Sequence, residues 1–402
     1  MRRLAIVGSG PAGFYTAEAA LKRFGDLVEI DILDRLPTPY GLIRAGVAPD
    51  HQSIKAVSKR YHQVATDQRV LFVGNVLVGR DLSLADLLAL YDDVVLAVGA
   101  PEDRPLGIPG DDLPGVVGSG AFVGWYNGHP DFHQALPLLD GDSVAVIGNG
   151  NVAIDCARIL AKTMGELASS DIADHALRPL AKTALRHIHM LGRRGPHQAS
   201  FTLKEVGELG ELERATPEVS IDDFPPVEAD AALETGRRRV VEVLRRFAAS
   251  GPDPAKPITL HMRFFRRPVE ILGDKRVEAV KLMKTTLDPD GRAIDSGETE
   301  ILPCSLLIAA IGYRTAAIPG VPFDQKHGMF ENRDGLIAPG LWCVGWAARG
   351  PSGTIGTNRP TAIELVERIA DSSPPDDRGE AKEGRAGLNR LLQARGVKPS
   401  SF

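Results

Sequence analysis

"VAVIGNGNVAIDCARIL", running from Val144 to Leu160, decides how this chain is to be read. A short apolar run suited to a strand enters a G-x-G-x-x-A turn at Gly148, Gly150 and Ala153, and a helix-forming run follows. Strand, glycine turn and helix in that order make a dinucleotide cradle, because the turn lets backbone approach a pyrophosphate and the helix N-terminus faces its charge. The same device occurs earlier, in "LAIVGSGPAGFYTAEAAL" from Leu4 to Leu21. One chain therefore carries two cradles, and the differences between them carry the functional information.

In the first unit, Arg3 to Val7 reads as a strand, Pro11 to Phe24 as a helix and "VEIDIL" at Val28 to Leu33 as a second strand that stops on Asp34. Gly8 permits the tight turn, Gly10 lets backbone approach a phosphate, and Gly13 lets the helix pack on its strand. Asp34 lies 26 positions after Gly8, close to where the fingerprint expects an acid that accepts hydrogen bonds from a ribose.

The second unit ends differently. After a polar stretch from Gly165 to Ala184, the strand in "RHIHMLGRRG" stops on Arg193 and Arg194, where the first unit has its acid. A carboxylate there would repel a 2′-phosphate, whereas guanidinium groups grip one through charge-assisted hydrogen bonds. Opposite chemistry at the two riboses points to two dinucleotides, FAD and NADPH, and to hydride transfer between them. Further apolar runs that end in glycine, "DDVVLAVGA", "SLLIAAIGYRT" and "GLWCVGW", fit parallel strands of α/β sheets.

Composition bounds the reading. The 402 residues allow two to three domains, and 43% hydrophobic with 25% charged residues suits a chain with substantial cores. A formal net charge of −5 gives no general attraction to nucleic acid, and no apolar run is long enough for a membrane helix, so a cytoplasmic location is expected. Cys156, Cys304 and Cys343 are far apart and read as buried apolar residues, which removes a redox disulfide and argues against a zinc or iron–sulfur site.

The chain resembles the adrenodoxin reductase-like NADPH:ferredoxin reductases. The likeness lies in "GSGPAGFYTAE", "LDRLPTPYGLIRAGVAPDHQSIKAV", "VGNVLVGRDLS", "FVGWYNGHPDF", "GNGNVAIDCARIL", "GRRGPHQASFTLKE" and "VGWAARGPSGTIGTN", spanning the first strand to about Arg368. The resemblance implies an α/β fold of two Rossmann-like domains. A FAD domain would be split in sequence over residues 1–103 and 324–402, and an NADP domain over 104–323 inserted into it. Residues 372–402 begin as a linker by composition and have room for one short helix.

The resemblance also implies site residues. For FAD these are Ala12 in the first turn, Asp34, Leu42, Val78, and Trp346 with Gly353, Thr354 and Ile355, whose N–H groups at the start of a helix would face the flavin. For NADP they are Gly148, Asn149, Gly150 and Asn151, then Arg193, Arg194 and Glu205, with Gly353 at the nicotinamide end. His51 and Asp155 would lie near the two rings as catalytic candidates. From the residues alone, His51 begins a helix and Asp155 belongs to the first turns of one.

The implied partner is a small acidic iron–sulfur protein. "TGRRRVVEVLRRF" places Val240, Leu244 and Phe247 on one helical face, while Arg237, Arg238, Arg239, Arg245 and Arg246 against Glu242 make a basic surface to steer it. Ala347 and Ala348 depart from the family pattern, and the stretch after Gly210 is short. Two alternatives stay open: a redox-sensing or scaffold flavoprotein that binds NADPH without turnover, and a flavin monooxygenase.

Overall fold

The computed structural model describes residues 1–134, 137–372 and 381–402. The chain divides into two compact units: residues 1–47, 51–102 and 313–402 form one, and 48–50 with 103–312 form the other. The chain thus leaves the first unit, builds the second, and returns.

The first unit is built on a six-stranded sheet with Arg2–Val7 near its centre. Val28–Leu33 and Val70–Val73 lie in parallel on one side. On the other are Asp93–Leu96, Leu341–Cys343 and the antiparallel edge Leu336–Ala338. "GLWCVGW", which follows the entire second cradle in sequence, therefore completes the first sheet. Buried Leu4, Ile6, Ile30, Ile32 and Val95 pack against the helices Pro11–Phe24 and Asn358–Ser372. Both faces of the inner strands are covered, which is why stretches such as Leu4–Val7 and Val70–Val73 read as continuous apolar runs; Val28–Leu33 alternates, with Asp31 buried and bonded to Tyr91 and Arg385.

The second unit repeats the plan. Ser143–Ile147 lies between His187–Leu191 and Leu306–Ala309, with Ile258–Arg263, Ala215–Val219 and Val116–Gly118 completing a six-stranded parallel sheet. A separate antiparallel sheet of Arg266–Leu272, Ala279–Leu287 and Ala293–Pro303 covers part of one face. It packs Ile271, Val280 and Leu282 against Ala145, Ile147 and Leu191.

The polar stretch from Gly165 to Ala184 is not featureless. It contains most of the short helix Met164–Leu167 and all of Asp174–Ala181; the first opens with a reciprocal capping box between Thr163 and Glu166. Beyond Ser372, residues 373–380 of the expected linker lie outside the described residues, and a helix runs from Arg385 to Ala394. All three cysteines are free and buried; burial pushes the thiols of Cys304 and Cys343 up to about 12. Among the described residues no helix is long and apolar enough to cross a membrane.

Candidate functional site

In the first unit the glycines are enforced by contact. Gly8 has φ +110° and a Cβ there would meet Ala97 O at 2.4 Å; a Cβ on Gly13 would meet Gly8 O at 2.0 Å. Around Gly10, by contrast, a Cβ would have nothing within 4 Å, so this side of the turn is open. Gly10 precedes the helix Pro11–Phe24 and no side chain caps its first turn, leaving N–H groups for an anionic ligand.

Asp34 is already engaged with the glycine turn. Its Oδ2 accepts from the Ser9 N–H at 2.8 Å and from the Ser9 hydroxyl, and its Oδ1 accepts from the Leu36 N–H at 2.9 Å. The acid is a strut across the glycine turn: Ser9 takes both lone pairs of Oδ2, and Oδ1 keeps one for a further donor. Next to it, Tyr40 donates its N–H to Ser9 O at 3.0 Å, and Gly41, at φ +49°, comes so near that a Cβ would sit 2.9 Å from Gly10 Cα. Leu42 opens the helix Leu42–Ala45 with 45% of its surface exposed, an apolar side chain available to a flat ligand. Val78 is buried in the core beside Val76 and Leu82.

Ala12 faces Gly345, where a Cβ would lie 2.6 Å from the Ala12 Cβ. Gly345 leads into the helix Trp346–Arg349; Trp346 stacks on Tyr313 at 6.0 Å and donates its indole N–H to Ser352 O at 3.0 Å. The carbonyls of Thr354 and Ile355 accept from Asn358 Nδ2. The N–H groups of Gly353, Thr354 and Ile355 have no acceptor among the described residues. These N–H groups belong to the turn before Asn358–Ser372, not to the helix itself.

In the second unit Gly148 has φ +143° and a Cβ would stand 2.3 Å from Ala310 O. Gly150 precedes the helix Asn151–Ala161, again without a side-chain cap, and Ala153 in its first turn is fully buried. Asn149 O accepts from Ser200 N and Oγ, while Asn151 Oδ1 accepts from Thr202 N at 2.9 Å, so Ser200–Thr202 lies against the turn. A Cβ on Gly192 would come within 1.7 Å of Asn149 Nδ2, so any larger residue there must displace the Asn149 side chain.

Arg193 and Arg194 are exposed, and neither guanidinium has a partner among the described residues. Their backbone, by contrast, is fixed. Arg266 N donates to Gly192 O at 2.8 Å, Thr285 Oγ1 to Arg193 O at 2.8 Å, and Phe265 N to Arg194 O at 3.3 Å. Glu205 is 9% exposed on the helix Leu203–Leu209, and its Oε2 has no hydrogen-bond partner. A buried carboxylate oxygen left without a donor is costly unless a ligand supplies one. Uncapped helix starts, glycine turns without room for Cβ, unpaired guanidinium groups and this orphaned oxygen all fit two dinucleotides.

Asp155 lies past the first turn of its helix, so the helix dipole does not account for it. Its Oδ1 accepts from Arg158 at 2.8 Å. Arg158, 1% exposed, also pairs with Asp50 and approaches Glu208 at 3.2 Å, and Lys162 reaches Asp50 at 2.9 Å. Burial alone would raise the Asp50 carboxyl, but the hydrogen bonds and charges of Arg158 and Lys162 hold it well below the usual range. Sequence reasoning missed Asp50 and Arg158; an arginine three residues after an acid on one helix was the available signal. His51 is 7% exposed and precedes the short helix Gln52–Lys55.

The basic helix Thr235–Ser250 needs a correction. Arg245 is not part of a free surface: it donates to both oxygens of Asp230, at 2.6 and 2.9 Å, and lies over the Phe224 ring at 4.6 Å. Arg238 donates to the carbonyls of Ala231 and Leu233. Arg237, Arg239 and Arg246 remain exposed, so the patch has three arginines rather than five.

Comparison with known proteins agrees with this geometry. The model of the pyridine nucleotide-disulphide oxidoreductase family matches residues 2–351. The chain is 42% identical to the mitochondrial NADPH:adrenodoxin oxidoreductase of Arabidopsis thaliana, over 99% of this chain and 87% of that protein. It is also 42% identical to the NADPH-ferredoxin reductase FprA of Mycobacterium tuberculosis, over 95% and 85%. The solved structure of M. tuberculosis FprA in complex with NADPH superposes with a TM-score of 0.95 at 40% identity, covering 100% of this chain and 92% of that one. With two dinucleotide cradles and this agreement along its whole length, the chain belongs to the adrenodoxin reductase and FprA-like family of NADPH-ferredoxin reductases.

Proposed function

We propose that this protein is an FAD-dependent NADPH:ferredoxin oxidoreductase, with FAD in the first unit and NADPH in the second. The observation that carries the reading is the contrast at the two ribose positions: a carboxylate braced by Ser9 and Leu36 in one unit, two unpaired arginines in the other. Bound FAD would supply the conversion between a two-electron hydride donor and one-electron acceptors.

The residues divide the remaining work. Gly8, Gly10 and Gly13 admit the pyrophosphate of FAD, Asp34 accepts from its ribose, and the N–H groups of Gly353, Thr354 and Ile355 stabilise negative charge on the flavin ring. Leu42 and Trp346 supply apolar surface for it, and Val78 and Ala12 back the cradle. Gly148 to Asn151 admit the NADPH pyrophosphate, Arg193 and Arg194 hold the 2′-phosphate, and Glu205 accepts a hydrogen bond from the coenzyme. Asp155, with one oxygen committed to Arg158, is a fixed acceptor rather than a mobile base. We assign it and His51 to positioning, since hydride transfer depends on bringing two rings together and needs no general base.

The iron–sulfur partner would be an acidic ferredoxin drawn to Arg237, Arg239 and Arg246, and the reaction would run in the cytoplasm. Anaerobic stopped-flow absorbance tests the whole reading. Mixing with NADPH should bleach the flavin faster than mixing with NADH, and a plant-type ferredoxin added next should become reduced. Bleaching that stalls with every iron–sulfur acceptor would overturn it.

A further inference from the structure

Residues 395–402 have no role in the scheme above, yet they close on the outer side of the FAD cradle. The segment is anchored first by Arg395, which donates to both oxygens of Asp86 at 2.8 and 3.0 Å. It then runs beside the end of the strand Val70–Val73. Ser400 exchanges two backbone hydrogen bonds with Gly74, at 2.9 and 3.0 Å, and Lys398 O accepts from Asn75 Nδ2 at 2.9 Å. The fit is tight enough that a Cβ on Gly74 would meet Ser400 Oγ at 2.4 Å.

From there the segment touches the cradle loop at two points. Ser400 Oγ donates to Pro37 O at 2.8 Å, and the Phe402 ring meets Tyr40 at 6.3 Å, edge to face, with His62 beside it at 5.2 Å. Tyr40 is the informative contact. It has φ +91°, a conformation that a non-glycine residue keeps only where its surroundings enforce it. One side of the enforcement is the Tyr40 N–H bond to Ser9 O and the close approach of Gly41 to Gly10. The other is ring packing by Phe14, Tyr61 and Phe402.

We propose that Ser400 and Phe402 are positioning residues for flavin binding: they press the Pro37–Leu42 loop onto the Ser9–Gly10 turn and slow the release of FAD. The proposal rests on the assignment of this cradle to FAD. Phe402 is 46% exposed, so its removal leaves the cores intact while freeing one side of Tyr40.

The test uses the full chain with Phe402→Ala, Ser400→Ala and both together, reading FAD dissociation by recovery of flavin fluorescence. Visible circular dichroism of the bound flavin gives a second readout, and thermal melting of the apoprotein a third. About a fivefold to tenfold faster release is expected for Phe402→Ala, the size that one aromatic pair carries. The double variant should release faster still, with altered visible dichroism and unchanged apoprotein melting. Phe402→Leu, which restores apolar packing, should recover most of the retention. If the wild-type protein holds FAD and the variants hold it as tightly, the positioning role is wrong while the cradle stands. If the wild-type chain binds no FAD, the cradle assignment fails and the proposal with it.

Discussion

Replacing Arg193 and Arg194 by alanine together should raise the Michaelis constant for NADPH by about two orders of magnitude and leave that for NADH within about twofold. The size follows from what each side chain does. A hydrogen bond to a charged group contributes about 1.5–3 kcal/mol, and solvent exposure puts these two near the lower end, so about 3 kcal/mol for the pair. That is a little over a hundredfold. The structure directs the whole loss to the coenzyme. Neither guanidinium has a described partner to lose, and the bonds that fix this loop use the backbone of Gly192, Arg193 and Arg194, which alanine retains. Steady-state kinetics with both coenzymes, supported by titration with 2′,5′-ADP and 5′-ADP, measures the ratio. Lysine at both positions should be intermediate, since charge remains but the fork is lost. Equal changes for NADPH and NADH would refute the assignment of these residues to the 2′-phosphate.

Four further outcomes test other parts of the molecule. Arg245→Ala leaves Asp230 buried beside His197 without its main partner, and chemical denaturation should show a loss of about 2–4 kcal/mol; Arg237→Ala with Arg239→Ala and Arg246→Ala should leave stability alone and slow ferredoxin reduction most at low salt. A stable Arg245→Ala protein would contradict the pairing described. Burial, then the neighbouring charges of His261, Arg263 and His187, pushes His189 down to about 3. Its folded value lies below the unfolded one near 6.5, so stability is intact above pH 6.5 and falls as pH drops from there toward 3, by roughly 2–3 kcal/mol at pH 4.5. His189→Leu should flatten that acid limb in melts between pH 4.5 and 7.5, and an unchanged slope would remove His189 as its source. Gly192→Ala drives a methyl into Asn149, and it should weaken NADPH binding by isothermal titration while FAD retention stays normal.

Local chemistry explains what the sequence made legible. Both strand–turn–helix units stand out because an apolar strand, a glycine turn and a helix start occupy contiguous residues; the helix Pro11–Phe24 and the strand Val28–Leu33 match their sequence reading to the residue. The arginine pair was visible for the same reason. What stayed hidden depends on partners distant in sequence. A helical wheel puts Arg245 on the polar face, but the acid that claims it sits in a separate turn at Asp230. Arg158 reads as an ordinary helix residue until Asp50 is brought to it from the far side of the chain. The antiparallel sheet over residues 266–303 was not anticipated, because one strand is largely exposed and rich in charges that pair only across strands, as in Lys284 with Glu298 and Arg267 with Asp295.

That sheet has a consequence for how coenzyme preference can change. The loop bearing Arg193 and Arg194 is tethered to it through the hydroxyl of Thr285, a residue 5% exposed and outside the parallel nucleotide-binding sheet. Valine at this position would keep the side chain's shape and remove one of the three hydrogen bonds that fix the loop, loosening the guanidinium pair without changing either arginine. On the role proposed for Arg193 and Arg194, discrimination between phosphorylated and unphosphorylated nicotinamide coenzymes would be adjustable in small steps from this accessory sheet, one hydrogen bond away from the loop. Drift or design acting there could retune the reductase while both glycine turns stay unchanged.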